Sequence, residues 1–142
     1  MPGNGGLHVT ELAGLAGKRV LVVEDEMLVS MLVEDILGEL GCTVVGPAAR
    51  LDEALRIVGD GQVIDAALLD VSLAGSKVFP VADILAARGV PFVFVSGYGE
   101  QGLEAPHRSR PVLQKPFAPE ALGEALRACL DGKAHGKADG AA

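Results

Sequence analysis

Three apolar runs and one short strand-like segment in this chain each lead into polar residues able to do chemistry. Val20-Leu21-Val22-Val23 is followed by Glu24, Asp25 and Glu26, Ala66 to Leu69 by Asp70, Phe92 to Val95 by Ser96, and Val112 to Gln114 by Lys115. Three carboxylates gathered in one place, from Glu24, Asp25 and Asp70, would repel one another strongly at low local dielectric unless a cation neutralised them. Oxygen donors favour a hard ion, and a site with few carboxylates and some water suits Mg2+. Asp70 then has two functions: one oxygen on the metal, the other attacking phosphorus to form an acyl phosphate. Such a transfer depends on positioning and on neutralising the transferred oxygens. Mg2+ and the Lys115 ammonium supply that charge, and Ser96 offers a hydroxyl donor.

Each residue also has an ordinary reading. Acids after a strand suit a helix start, Ser96-Gly97 is a common turn signal, and a lone lysine belongs at the surface. What favours chemistry is their joint placement at four strand ends. In a doubly wound sheet the ligand site lies beyond the carboxyl ends of the strands, where strand order reverses.

The elements that would achieve this alternate along the chain. Lys18 to Val23 reads as a strand covered on both faces. Met27 to Leu40 reads as a helix with Leu28, Leu32, Ile36 and Leu40 inward and Ser30, Glu34 and Gly38 opposite, stopped by Gly41. Thr43 to Val45 is a short strand closed by Gly46-Pro47. Asp52 to Val58 is a helix capped by Asp52, with Ala54, Leu55 and Val58 inward. Ala66 to Leu69 is a third strand delivering Asp70, and a loop through Gly75 leads to a helix from Val78 to Arg88. Phe92 to Val95 is the fourth strand. Gly97, Gly99, Gly102 and Pro106 then interrupt the place of a fourth helix, so it should be short or irregular, one turn near Glu100 to Glu104. Val112 to Gln114 is the fifth strand, and a last helix starts at Pro119 and buries Leu122, Leu126 and Leu130. The expected fold is α/β, a doubly wound five-stranded parallel sheet of flavodoxin-like type. Residues 1–17 read as a flexible leader, 18–131 as the folded domain and 132–142 as a disordered tail.

A length of 142 residues with 49% hydrophobic content supports one core of ordinary size. The net charge of -7 and the absence of a basic stripe exclude a nucleic-acid surface. No run is long enough to cross a bilayer and no signal peptide opens the chain, so the expected location is cytoplasmic, without membrane contact. Cys42 and Cys129 lack metal-ligand spacing and read as small core or near-surface residues in a reducing compartment. His8, His107 and His135 fall in the leader, the irregular segment and the tail, and none reads as a ligand or general base.

Leu-Val-Val-Glu-Asp-Glu, Leu-Leu-Asp, Val-Ser-Gly and Lys-Pro-Phe occur in the order and spacing of the response-regulator receiver family, which the chain resembles from Arg19 to Leu130. The resemblance implies Asp70 as phosphoacceptor, Glu24 and Asp25 as the acidic pair for Mg2+, and the Ser72 carbonyl as a backbone ligand. It also implies Ser96 as the switch hydroxyl, Lys115 as the phosphate-pairing lysine and a cis peptide before Pro116. Phe94 to Gly99 with Pro111 to Phe117 is similar to the FAT GUY subgroup of single-domain receivers, with Val95-Ser96 in place of Ala-Thr. Val112 stands where many receivers carry a Tyr or Phe that reports phosphorylation. Tyr98 is the candidate to take over part of that relay or to serve the output surface.

The implied function is a phosphoacceptor response regulator of two-component signal transduction, acting as a stand-alone switch or relay through protein contacts. A histidine kinase or histidine phosphotransfer protein would phosphorylate Asp70, and the domain would assist its own phosphorylation and dephosphorylation without being an enzyme. Two alternatives keep the fold: a phosphorylation-silent interaction module, and a receiver segment of a hybrid histidine kinase. A small phosphatase with an aspartyl nucleophile is disfavoured, because Ser72 stands where its second acid should be and no cap domain encloses a substrate.

Overall fold

A computed structural model describes residues 13–97 and 103–141 of the chain. Its main sheet has five parallel strands: β1 (Arg19–Val23), β2 (Thr43–Ala48), β3 (Ala66–Asp70), β6 (Phe92–Ser96) and β7 (Val112–Gln114), in the order β2-β1-β3-β6-β7. Between them run α1 (Met27–Glu39), α2 (Leu51–Gly59) and α3 (Phe79–Ala87), and α4 (Pro119–Ala141) follows β7. A small antiparallel hairpin, β4 (Ser72–Leu73) and β5 (Ser76–Lys77), lies between β3 and α3.

The continuous apolar runs form strands because both faces of the sheet are covered. Leu21, Val23, Ala67, Leu69, Phe92 and Phe94 pack on one side with Ala54 and Val58 of α2 and Phe79, Ala82 and Leu85 of α3. The alternate residues Val20, Val22, Ala66, Leu68, Val93 and Val95 pack on the other with Val33, Ile36 and Leu37 of α1 and Leu122 and Leu126 of α4. The chain leaves β1 outward to β2 and returns across it to β3. Strand order therefore reverses between β1 and β3, and Glu24 and Asp70 leave the sheet at that crevice.

The inward face of α1 differs from the expected one. Leu28 and Leu32 are 81% and 42% exposed, whereas Ser30, Val33, Ile36 and Leu37 are buried. In a helix of about 3.6 residues per turn, a spacing of four advances by roughly 40° per step, so Leu28 lies about 120° around the axis from Leu40. Only the C-terminal half of that stripe meets the sheet. Met27, Leu28, Met31 and Leu32 form an apolar face open to solvent.

Other boundaries also move. β2 continues through the cis Gly46-Pro47 peptide to Ala48, with a shift in register between Leu21 and Val23; β2 is an edge strand, where proline is tolerated. Gly46 has φ +91°, and a Cβ there would lie 2.9 Å from the Ala48 nitrogen. Helix α2 begins one residue before Asp52; Arg50 precedes it without a side-chain cap, and Asp52 Oδ1 instead accepts from the Glu53 N–H at 2.9 Å. The packed body takes in Leu15, N-terminal to the expected boundary at 17. Leu15 ends a 3-10 turn (Ala13–Leu15), is 1% exposed, and its carbonyl accepts from the Cys42 thiol at 3.3 Å. Helix α4 runs past Asp131 to Ala141, where a disordered tail was expected; an established helix gains a hydrogen bond with every residue added. Between β6 and β7 the described residues hold a single 3-10 turn (Ala105–His107), consistent with a short, irregular fourth helix, although Glu100 lies outside the described residues.

Candidate functional site at the carboxyl edge of the sheet

Glu24 and Asp25 follow the last residue of β1, and Asp70 ends the neighbouring strand β3. One carboxylate oxygen from each lies within 4.8 Å of the other two. Glu24 and Asp70 are buried, at 5% and 6% exposure, while Asp25 is exposed at the rim. Asp25 is held by the hairpin, whose Ala74 N–H donates to its Oδ2 at 2.9 Å. That contact depends on two consecutive left-handed residues at the hairpin tip, Ala74 (φ 48°) and Gly75 (φ 92°), the backbone that a tight two-residue turn requires. The Ser72 N–H donates to Asp70 Oδ1 at 3.2 Å, and the Ser72 hydroxyl accepts from Lys77 Nζ at 3.1 Å.

Lys115 follows β7 and reaches back across the sheet edge. Its ammonium donates to Asp70 Oδ2 at 3.1 Å, to Glu24 Oε2 at 3.1 Å and to Glu26 Oε1 at 2.7 Å. The Lys115–Pro116 peptide is cis, and the Lys115 N–H donates to the Ser96 carbonyl at 2.9 Å. Ser96 is buried at the end of β6, beside the strand that ends in Asp70. Val112 is half-buried in β7, in register with Phe94, and Tyr98 lies outside the described residues.

The electrostatics follow from packing these charges together. Burial, reinforced by the hydrogen bond and negative charge of Asp70, pushes the Glu24 carboxyl up from 4.5 to about 8, against the opposing pull of the Glu26 N–H and of Lys115. Burial also raises Asp70, while bonds from Glu24 and Lys115 restrain the rise. Each acid therefore resists losing its proton while the other is charged. Burial works to lower the Lys115 pKa, but Glu26, Asp70 and Glu24 outweigh it and the ammonium is strengthened as an acid's partner. One cation facing three carboxylates leaves the centre short of positive charge. Three convergent oxygens with no nitrogen or sulfur among them fit a hard divalent ion such as Mg2+.

These positions bring Glu24, Asp25, Asp70 and Lys115 into one constellation, with Ser96 and Ser72 at its border. The profile of the response regulator receiver domain matches residues 20–127. The chain belongs to this family. The receiver is 32% identical over 124 residues to the phyllosphere-induced regulator PhyR of Methylorubrum extorquens, an overlap covering 84% of the chain and 46% of PhyR. It therefore spans about half the length of that relative. The solution structure of SdrG from Sphingomonas melonis Fr1 superposes with a TM-score of 0.72 at 47% identity, over 80% of this chain and 97% of that one. The BeF3-activated conformation of SdrG from Pseudomonas melonis Fr1 matches with a TM-score of 0.68 at 46% identity, over 81% and 98% of the two chains. The receiver is thus a two-component response regulator domain of the PhyR and SdrG type, and no helix among its described residues is long and apolar enough to cross a membrane.

Two side chains in the receiver escaped the sequence reading. Glu26 looked like one more acid at a helix start, and nothing in its spacing distinguishes it as the nearest partner of Lys115. His107, set aside as a loop residue, is 4% exposed. Its ring stacks on Phe79 at 5.5 Å with 6° between planes, meets the edges of Phe92 and Phe94, and bonds Asp83 Oδ1 of α3 through Nε2 at 2.8 Å. Its Nδ1 is buried without a partner. His107 thereby anchors the connection after Ser96 onto α3, an arrangement with no local sequence signal. Cys129 is packed against α4's core neighbours, and burial pushes its thiol up to about 12 against the opposing charge of Arg110, a weakly reactive state.

Proposed function

We propose that this receiver is a phosphoacceptor switch modified on Asp70. The observation that carries this reading is the convergence of Asp70 with a full ammonium partner, Lys115, and two further carboxylates at the strand-order reversal. One Asp70 oxygen attacks the phosphorus of a phosphohistidine; the phosphorus–nitrogen bond breaks and its electron pair returns to the donor imidazole. Lys115 pairs with a phosphoryl oxygen, and the Ser96 hydroxyl donates to another. Mg2+ bound by Glu24, Asp25, Asp70 and the Ser72 carbonyl would supply the positive charge that the three carboxylates and the phosphoryl oxygens require. The Ala74 N–H holds Asp25 in place for that role. The BeF3-activated relative supports the reading, because trifluoroberyllate on a carboxylate has the tetrahedral shape and charge of a phosphoryl group.

The donor in this reading is a histidine kinase or histidine phosphotransfer protein. Met27 and Met31 line a cleft of about 230 Å³ together with Glu24 and Asp25. The exposed face of α1 thus borders Glu24 and Asp25, the acids beside Asp70, giving an apolar protein surface a place to dock with its histidine toward Asp70. Intact-mass measurement after incubation with acetyl phosphate and Mg2+ tests the chemistry. The expected result is a one-phosphoryl gain in the native chain and none in Asp70→Asn. Equal labelling of the two removes Asp70 from the reaction and places the label elsewhere; no labelling of either leaves a phosphorylation-silent module.

A further inference from the structure

Glu26 stands immediately before α1 with extended backbone (φ -89°, ψ 113°), the place where a polar side chain ordinarily caps a helix, yet it makes no capping bond. Its carboxylate instead crosses to Lys115 at 2.7 Å, closer than Glu24 or Asp70 at 3.1 Å. The side chains of Glu24 and Asp70 are 4% and 8% exposed, that of Glu26 60%. Two of the three ammonium donors therefore point inward, and the third is held at the entrance. Lysine has no more donors than these.

We infer that Glu26 is a positioning residue that parks Lys115 at the mouth of the site and selects against small, doubly charged phosphoryl donors. The inference rests on Asp70 being the phosphoacceptor. A phosphoryl group arriving on Asp70 needs a charge-assisted bond from Lys115, and the donor committed to Glu26 is the one that faces the route of entry. The Glu26 carboxylate also lies beside that route, where it repels a free dianion. A donor carried on a protein surface displaces water from this exposed pair and sets its own side chains against Glu26; a small anion cannot.

The test compares the native chain with Glu26→Gln, a substitution at an exposed side chain that keeps the shape. Initial rates of acyl-phosphate formation with Mg2+ are read by intact mass for acetyl phosphate, a dianion at neutral pH, and phosphoramidate, a monoanion. Glu26→Gln is expected to speed acetyl phosphate by up to about fivefold, the most that an exposed ion pair is ordinarily worth, and phosphoramidate by less. The difference should shrink in roughly 0.5 M salt, where exposed charges are screened. Trifluoroberyllate is a monoanion whose binding involves no transfer step, so it should tighten in the same variant by the smaller factor expected of phosphoramidate. Native protein that takes the label while Glu26→Gln matches it with both donors overturns the role of Glu26 and leaves the phosphoacceptor reading intact. Equal acceleration of both donors overturns donor selection. Absence of label from both proteins overturns the phosphoacceptor reading and this inference with it.

Discussion

Replacing Glu24 by Gln should make the metal-free protein more stable at alkaline pH, although it removes a charged partner of Lys115. The Glu24 carboxyl titrates at about 8 in the fold against 4.5 as a free side chain, chiefly because it is buried and next because of Asp70. A group with that shift binds more protons folded than unfolded throughout the interval, so stability falls as pH rises from the lower value to the higher. Each pH unit in that window costs at most about 1.4 kcal/mol. Relaxation around the charge brings that ceiling down to a loss on the order of 3 kcal/mol between about pH 5 and pH 8, and the raised Asp70 acts in the same direction. Lys115 does not mask this, since a base whose folded pKa is raised keeps its full contribution until pH passes the unfolded value of 10.5. Gln has the shape of protonated Glu and can still donate to Asp70. Urea unfolding in chelator at about pH 5 and pH 8 should show the native chain losing on the order of 3 kcal/mol and Glu24→Gln losing well under half of that. Mg2+ should recover stability at the higher pH in the native chain, and much less in the variant, because the ligand must shed its proton to bind. Equal pH slopes in the two proteins would refute the account of Glu24 as a buried acid with a raised pKa.

Two further substitutions probe regions the sequence did not flag. His107→Phe keeps a flat ring on Phe79 and gives up only a bond to the largely exposed Asp83, so chemical denaturation should register a loss of under about 1 kcal/mol; His107→Ala forfeits the stack and opens a cavity, at about 2–4 kcal/mol. Identical costs would mean that the aromatic packing is not what holds the segment. Leu28→Glu on the exposed face of α1 should leave the unfolding midpoint within the scatter expected of surface changes, about 0.5 kcal/mol. If that face docks the histidine donor, the same variant slows transfer from a cognate kinase while its labelling by acetyl phosphate stays as in the native chain; slowing of both would place the defect in the site.

Local sequence determined a good deal here. The runs at Val20–Val23, Ala66–Leu69 and Phe92–Val95 are apolar at every position, which only strands covered on both faces require, and the polar residue after each run therefore has to emerge at the carboxyl edge. Asp70, Glu24 and Ser96 were legible for that reason, and Lys115 from the short strand that precedes Lys115-Pro116-Phe117. The inward face of α1 was not, because nine of the residues from Met27 through the C-cap Leu40 are apolar and several stripes compete; the sheet chose among them by shape. Strand order was likewise absent from local pattern, and it is the order β2-β1-β3-β6-β7 that puts Glu24 beside Asp70 and lets Lys115 reach both. His107 joins Phe79 and Asp83 of α3 to a segment beyond β6, and Glu26 meets a lysine that follows β7. Contacts between residues so far apart in the chain leave no periodic trace, because they arise only once burial has fixed which faces meet.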